Sequence, residues 1–190
     1  MTGKTHQVIG LGVGLATFLL ATPPSYGPAT LAAVLVGSHI AALLPDIDQP
    51  ASSIWRSIPG GLIMGELSNP FLQHRNLTHS LLGMAIVAWG LHALSLHFPD
   101  YWNINARVAF VSWMAAYASH LVADMVTVQG IPLLFPIQNM MGFPPRPFQG
   151  IRIETGHWFE NFVVFPLTNL AVLALVYWQW PHIAANLFHS

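Results

Sequence analysis

The 190-residue chain contains no cysteine. That excludes disulfides and thiolate metal sites, and it leaves the compartment undetermined by redox logic. Charge is also scarce: only 7% of residues are Asp, Glu, Lys or Arg, against roughly a quarter in a typical soluble domain. The six basic residues form no patch and the formal net charge is −1, so a nucleic-acid surface has no electrostatic support. Internal repeats and low-complexity tracts are missing too, and the length suits a single domain over 1–190. What the chain does have is apolar. Hydrophobic residues make up 54% of it and the mean hydropathy is +0.54, which points to a membrane protein. Ten histidines outnumber the basic residues, so any metal site must be built from imidazole and carboxylate.

Five apolar stretches stand out, at 8–22, 29–44, 81–96, 108–125 and 162–180. They predict an all-α protein with about five transmembrane or membrane-embedded helices. Several are nearer 16 residues long than the roughly 20 needed to cross a bilayer, so short or tilted spans are expected. The first follows a single lysine, Lys4, with no clear small-residue cleavage site, and reads as a retained helix. Pro23-Pro24 and Gly27-Pro28 separate the first two stretches, and His97-Phe98-Pro99-Asp100 the next pair. Trp102, Trp113, Trp178 and Trp180 fall near expected helix ends, where interfacial aromatics collect. Two longer polar segments remain, 49–78 and 128–160, and the prolines of the second exclude a long helix.

Threading these helices alternately across a membrane brings polar residues to one end. That end receives His6, then Asp46 and Asp48, then His74 and His79, then His120 and Asp124, then His157 and Glu160. The other end receives His97, Asp100, His182 and His189 without pattern. The same end carries Lys4, Arg56, Arg75, Arg146 and Arg152 against Arg107 alone opposite. By the positive-inside rule it faces the cytoplasm, with the N-terminus inside.

Each motif has a chemical reading and a plainer one. His120 and Asp124, four apart in Ser119-His120-Leu121-Val122-Ala123-Asp124, share one helix face and can present nitrogen and oxygen to one cation; alone they could equally be a hydrogen-bonded pair. In Leu44-Pro45-Asp46-Ile47-Asp48-Gln49-Pro50 two neighbouring carboxylates repel unless a cation intervenes; the plainer reading is a helix-ending turn. Asp46 is the better ligand. In His74-Arg75-Asn76-Leu77-Thr78-His79-Ser80 the histidines can ligate metal, Arg75 can grip an anionic substrate, and Thr78 is a candidate helix cap. Thr5-His6 offers another ligand, with Thr5 as a cap. Glu160 is a candidate general base, or a carboxylate that orients a histidine. His39 and His92 read as packed core histidines, and Met140-Met141 and the aromatics as packing.

Taken together, His6, Leu44-Pro45-Asp46-Ile47-Asp48, His74-Arg75-x-x-Thr78-His79-Ser80 and Ser119-His120-x-x-Ala123-Asp124 followed by Gly130-Ile131-Pro132-Leu133-Leu134-Phe135-Pro136 resemble the YdjM-like family of bacterial and archaeal inner-membrane proteins. That family is regarded as metal-dependent hydrolases. The resemblance runs in order over 6–160, with Thr127 lacking the proline expected after it. A more distant likeness is to the all-helical zinc-dependent phospholipase C and single-strand nuclease fold. It implies metal ligation by His6, Asp46, His79, His120 and Asp124, and phosphoester hydrolysis.

The expected protein is a membrane-bound hydrolase holding one to three divalent ions, zinc or manganese. His6, Asp46, His74, His79, His120 and Asp124 would hold metal, Arg75 would bind substrate, and Asp48 or Glu160 would take the proton. A lipid or lipid-linked phosphate is the economical substrate at a membrane surface. The competing readings are a metal or proton transporter using the same residues, and a protein whose metal is purely structural.

Overall fold

Small residues decide which helices touch. In the computed structural model, which describes residues 1–21, 27–50, 52–68, 77–137 and 139–188, three helices form the centre: α1 (Gly3–Leu20), α2 (Gly27–Ala41) and α6 (Ala106–Met125). Gly10 and Gly14, one turn apart on α1, let its backbone meet α2. A Cβ on Gly10 would fall 2.3 Å from that of Ala42, and one on Gly14 only 2.0 Å from Ser38 Oγ. Such small-residue seams are how helices pack when lipid removes the hydrophobic drive between them. Further along α2, Gly37 makes room for Trp113, whose indole N–H donates to the Ala33 carbonyl at 2.9 Å. Leu15, Phe18, Leu31, Val34, Val108, Ala109 and Ala116 complete this core. Trp113, expected near a helix end, is therefore a core residue inside α6.

The remaining elements flank this trio. Beyond α2 the chain tightens into a 3₁₀ turn over Leu44–Asp48, helped by Pro45 at its start. The polar stretch 49–78 contains two short helices, α3 (Ser53–Arg56) and α4 (Gly61–Ser68). Helix α5 (Leu81–Ser95) is capped by Ser80, whose hydroxyl accepts from Gly83 N at 3.1 Å. Ser80 thus takes the capping role expected of Thr78. A π-helical turn over Glu160–Val164 leads into α7 (Phe165–Trp178), and α8 (Trp180–Phe188) folds back on α2. Among the described residues there is no strand, only the isolated bridges Thr127–Ile153 and Ile131–Met141 in the proline-rich segment.

The all-helical expectation holds, but the count of five crossings does not carry over. Among the described residues two helical segments are long and apolar enough to cross a bilayer, Gly27–Asp48 and Glu160–Trp178. Helix α5 has 15 residues, about 22 Å of helix against a hydrocarbon core of about 30 Å. Helix α6 has the length, but Arg107, Ser112, Ser119, His120 and Asp124 make it too polar.

Candidate metal centre

Four elements converge where α1 begins and α2 and α6 end. His6 lies on the first turns of α1, not ahead of the helix as the sequence suggests, because the helix starts at Gly3. The 3₁₀ turn after α2 brings Asp46 and Asp48 inward. The turn before α5 supplies His79, and the last turns of α6 supply His120 and Asp124. All six are buried, and His79 and His120 have no exposed surface.

The two imidazoles are oriented alike. His79 Nδ1 lies 3.5 Å from Asp48 Oδ2, and His120 Nδ1 lies 2.7 Å from the Ala42 carbonyl. With Nδ1 carrying the proton in each case, Nε2 is left as a lone-pair donor facing the centre. There, His79 Nε2 and His120 Nε2 are 3.4 Å apart. Asp46 Oδ1 stands 3.6 Å from the first and 3.7 Å from the second. Asp124 Oδ2 stands 3.7 and 3.9 Å from the same pair. Two ligands on a tetrahedral zinc, with Zn–N near 2.05 Å, sit about 3.3 Å apart. The spacing fits that coordination after a small contraction.

On the other side of Asp124, His6 Nε2 is 3.2 Å from Oδ1. Its alignment is not that of a hydrogen bond, and both His6 ring nitrogens are buried with no hydrogen-bond partner. An imidazole in a dry interior with neither nitrogen satisfied costs about 1–3 kcal/mol, which a cation beside Nε2 would offset. Two overlapping triads result, His6–His120–Asp124 and Asp46–His79–His120, each with ligand atoms within 4.8 Å of one another. The donor set of imidazole and carboxylate suits a borderline divalent cation, so the residues fit a metal. The α-amino group of Met1 also donates to Asp124 Oδ1.

Electrostatics marks out His79. Burial by itself would lower its pKa, but the hydrogen-bonded carboxylates of Asp46 and Asp48 outweigh this and raise it to about 9. A ring that binds a proton this firmly lies in a field that favours a cation.

The two carboxylates expected to move protons have other partners. Asp48 accepts from Thr78 Oγ1 at 2.6 Å and faces His79 Nδ1, so it orients a ligand. Glu160 accepts four hydrogen bonds of 2.7 Å each: Thr2 N, Thr2 Oγ1 and Thr5 Oγ1 on one oxygen, Gly156 N on the other. It clamps the start of α1 to the start of the π turn and is absent from both triads. Thr5 likewise serves this clamp and not a helix cap. His74 and Arg75 lie outside the described residues. His157 is exposed and pairs with Glu154 at 2.9 Å. His39 is half-buried against Gln7, and His92 is exposed against Phe110, so neither is the core histidine expected.

Sequence reasoning missed the supports. The Ala42 carbonyl gives no sequence signal, since any residue supplies one. Tyr117, fully buried, donates its hydroxyl to the Thr78 carbonyl and fixes the turn carrying His79. Only its position three residues before His120 hinted at that.

The chain is 34% identical over 168 residues to the uncharacterized protein YvsG of Bacillus subtilis, covering 88% of this chain and 90% of the relative. It is 31% identical over 139 residues to the inner membrane protein YdjM of Escherichia coli, covering 70% of this chain and 62% of that relative's length. The same figures hold for the YdjM protein of Shigella flexneri. No solved structure matches the chain. The relatives named for the inner membrane and the two apolar spans together make this a membrane-associated protein. With the profile of the YdjM inner membrane proteins matching residues 1–188, the chain belongs to that family.

Proposed function

We propose that the protein is a membrane-bound, metal-dependent hydrolase that cleaves a phosphoester, a lipid phosphate or lipid-linked phosphate, at the cytoplasmic face. The observation that carries this reading is the pair of buried His/Asp triads joined at His120. A divalent cation there, zinc or manganese, would supply Lewis acidity and acidify water when bound. His79 and His120 would hold it through Nε2, because Asp48 and the Ala42 carbonyl face their other nitrogens. Asp48, joined to the centre through His79, is placed to share the proton that the ligand set releases. The four donors on Glu160 withdraw it from that task. Arg75 is assigned to the substrate anion, since a guanidinium fork matches phosphate.

The position of the cluster supports hydrolysis over transport. A translocation site belongs near the bilayer midplane, and these ligands sit at helix ends. The five-to-one placement of basic residues supports a cytoplasmic site.

The test is elemental analysis of purified protein, then phosphate release from lipid phosphate mono- and diesters in mixed micelles. Wild type should carry stoichiometric metal and release phosphate, and His120→Ala should do neither. Metal without turnover across the ester panel would defeat the hydrolase reading, and absence of metal would defeat the metal centre as well.

A further inference from the structure

The proline-rich segment after α6 is ordered by polar bonds that turn inward. Phe143 N donates to the Met125 carbonyl and Ile153 N to the Val126 carbonyl, at 2.7 and 3.0 Å. The Arg152 guanidinium donates to the carbonyls of Pro144 and Gly142, at 2.9 and 3.0 Å. These bonds anchor the segment to the end of α6, directly beyond Asp124. With the polar groups so engaged, the apolar side chains point out. Phe143 and Phe148 are each 65% exposed, Trp158 68%, and Ile151 and Phe162 77%. A loop facing water has the opposite arrangement, and exposed apolar side chains gathered on one segment mark an interaction surface.

The surface continues onto α7. Within the apolar span Glu160–Trp178 no residue of the most apolar stretch is fully buried, and the exposed Phe162, Leu167, Leu170 and Leu173 suit the lipid-facing side of a membrane helix. Phe162 lies on that helix, and Trp158 and Ile151 carry the apolar face from it onto the loop. The exposed charges of the segment are few: Glu154 is paired with His157, and Arg146 is bonded to Gln149. Arg146 is the cation left facing outward, which suits anionic lipid phosphates. Irregular backbone is not tolerated in the hydrocarbon core, whereas aromatic and aliphatic side chains on such backbone are at home at the headgroup level.

We propose that residues 139–162 form a platform that docks onto the bilayer surface, its partner being the headgroup region of the leaflet at the metal end of α7. The platform sets the depth of the metal centre. Because it hangs from the residues following Asp124, docking holds the cluster at headgroup level and opens it to molecules arriving from the lipid. This inference is independent of the hydrolase reading, since it needs neither metal nor turnover.

The absence of native cysteine makes the test direct. Single cysteines at Phe148→Cys and Ile151→Cys are labelled with a nitroxide, alongside Asp100→Cys at the opposite end of the molecule. The proteins are reconstituted into vesicles of phosphatidylcholine and phosphatidylglycerol, and relaxation by oxygen is compared with relaxation by a neutral nickel chelate. Met140→Cys replaces either variant whose melting temperature in detergent departs from that of the parent. The expected result is an oxygen-to-nickel ratio several-fold higher at the two platform positions than at residue 100. Equal, nickel-dominated relaxation at all three would overturn the proposal. So would dipolar broadening at 148 and 151, which would make the occupant a second copy of the chain.

Discussion

The imidazole rings of His6 and His120 are stacked, with centroids 3.6 Å apart and planes inclined by 13°. One comes from the start of α1 and the other from the end of α6, and neither is more than 1% exposed. Parallel rings with carboxylates at their edges suit a shared cation environment. The stack also defines the junction of the two triads, because His120 belongs to both while His6 belongs to one.

That asymmetry predicts unequal mutants. His120→Ala should abolish metal binding altogether. His6→Ala should leave the Asp46–His79–His120 triad intact and retain metal at lower stoichiometry or affinity. Elemental analysis beside circular dichroism of each variant checks this, and identical metal loss in both would count against the shared-ligand geometry.

Asp48 should act through His79. Asp48→Asn keeps the shape but weakens the acceptor facing Nδ1, and supports of this kind typically contribute 10–100-fold in affinity. Metal affinity measured by chelator competition should therefore fall by about that factor, with stoichiometry preserved at saturating metal. Thr78→Val, which removes the donor to Asp48 Oδ2, should shift affinity in the same direction by less.

The raised pKa of His79, about 9, makes metal binding proton-linked. Below that value the cation must displace a proton, so apparent affinity should rise with pH, by up to about tenfold per unit, and level off above pH 9. In the metal-free protein the sign reverses. A folded-state pKa above the ordinary 6.5 stabilises the fold fully below pH 6.5 and loses that contribution as pH rises through 9. Thermal melts of metal-free protein should fall across that window, and metal-loaded protein should not show the same decline.

Glu160→Ala should destabilise the fold and not merely the chemistry. It leaves three donors at the start of α1 and Gly156 N without their acceptor, a loss of about 2–4 kcal/mol at a charge-assisted cluster. His6 sits one residue beyond Thr5, so metal affinity should drop too. Melting in detergent with and without added zinc separates the effects: zinc should recover only part of the loss.

Gly10→Val should separate α1 from α2. The added side chain has no room beside Ala42, and overpacking typically costs about 1–3 kcal/mol. Since the Ala42 carbonyl holds His120, the variant should lose metal affinity as well as melting temperature.

Composition and periodicity alone settled that the chain is helical and membrane-associated. They also marked out the candidate site residues, because His and Asp are so rare among apolar helices that their positions at helix ends are conspicuous. Helix alternation was enough to bring His6, Asp46, His79, His120 and Asp124 to one end. The roles within that cluster needed tertiary structure, since they depend on which oxygen or nitrogen meets which partner. Asp46 and Asp48 are indistinguishable in sequence, yet the 3₁₀ turn sends one to the centre and the other behind His79. Glu160 reads as a base until the threonines of α1 are seen to occupy it. The aromatics of 143–162 read as packing in a list of residues, and only the inward-turned backbone of the folded segment leaves them facing out. Short-range pattern determines burial tendency and helix faces, whereas the direction of a side chain at a chain reversal is decided by distant contacts, 30 residues away for Asp48 and 158 for Glu160.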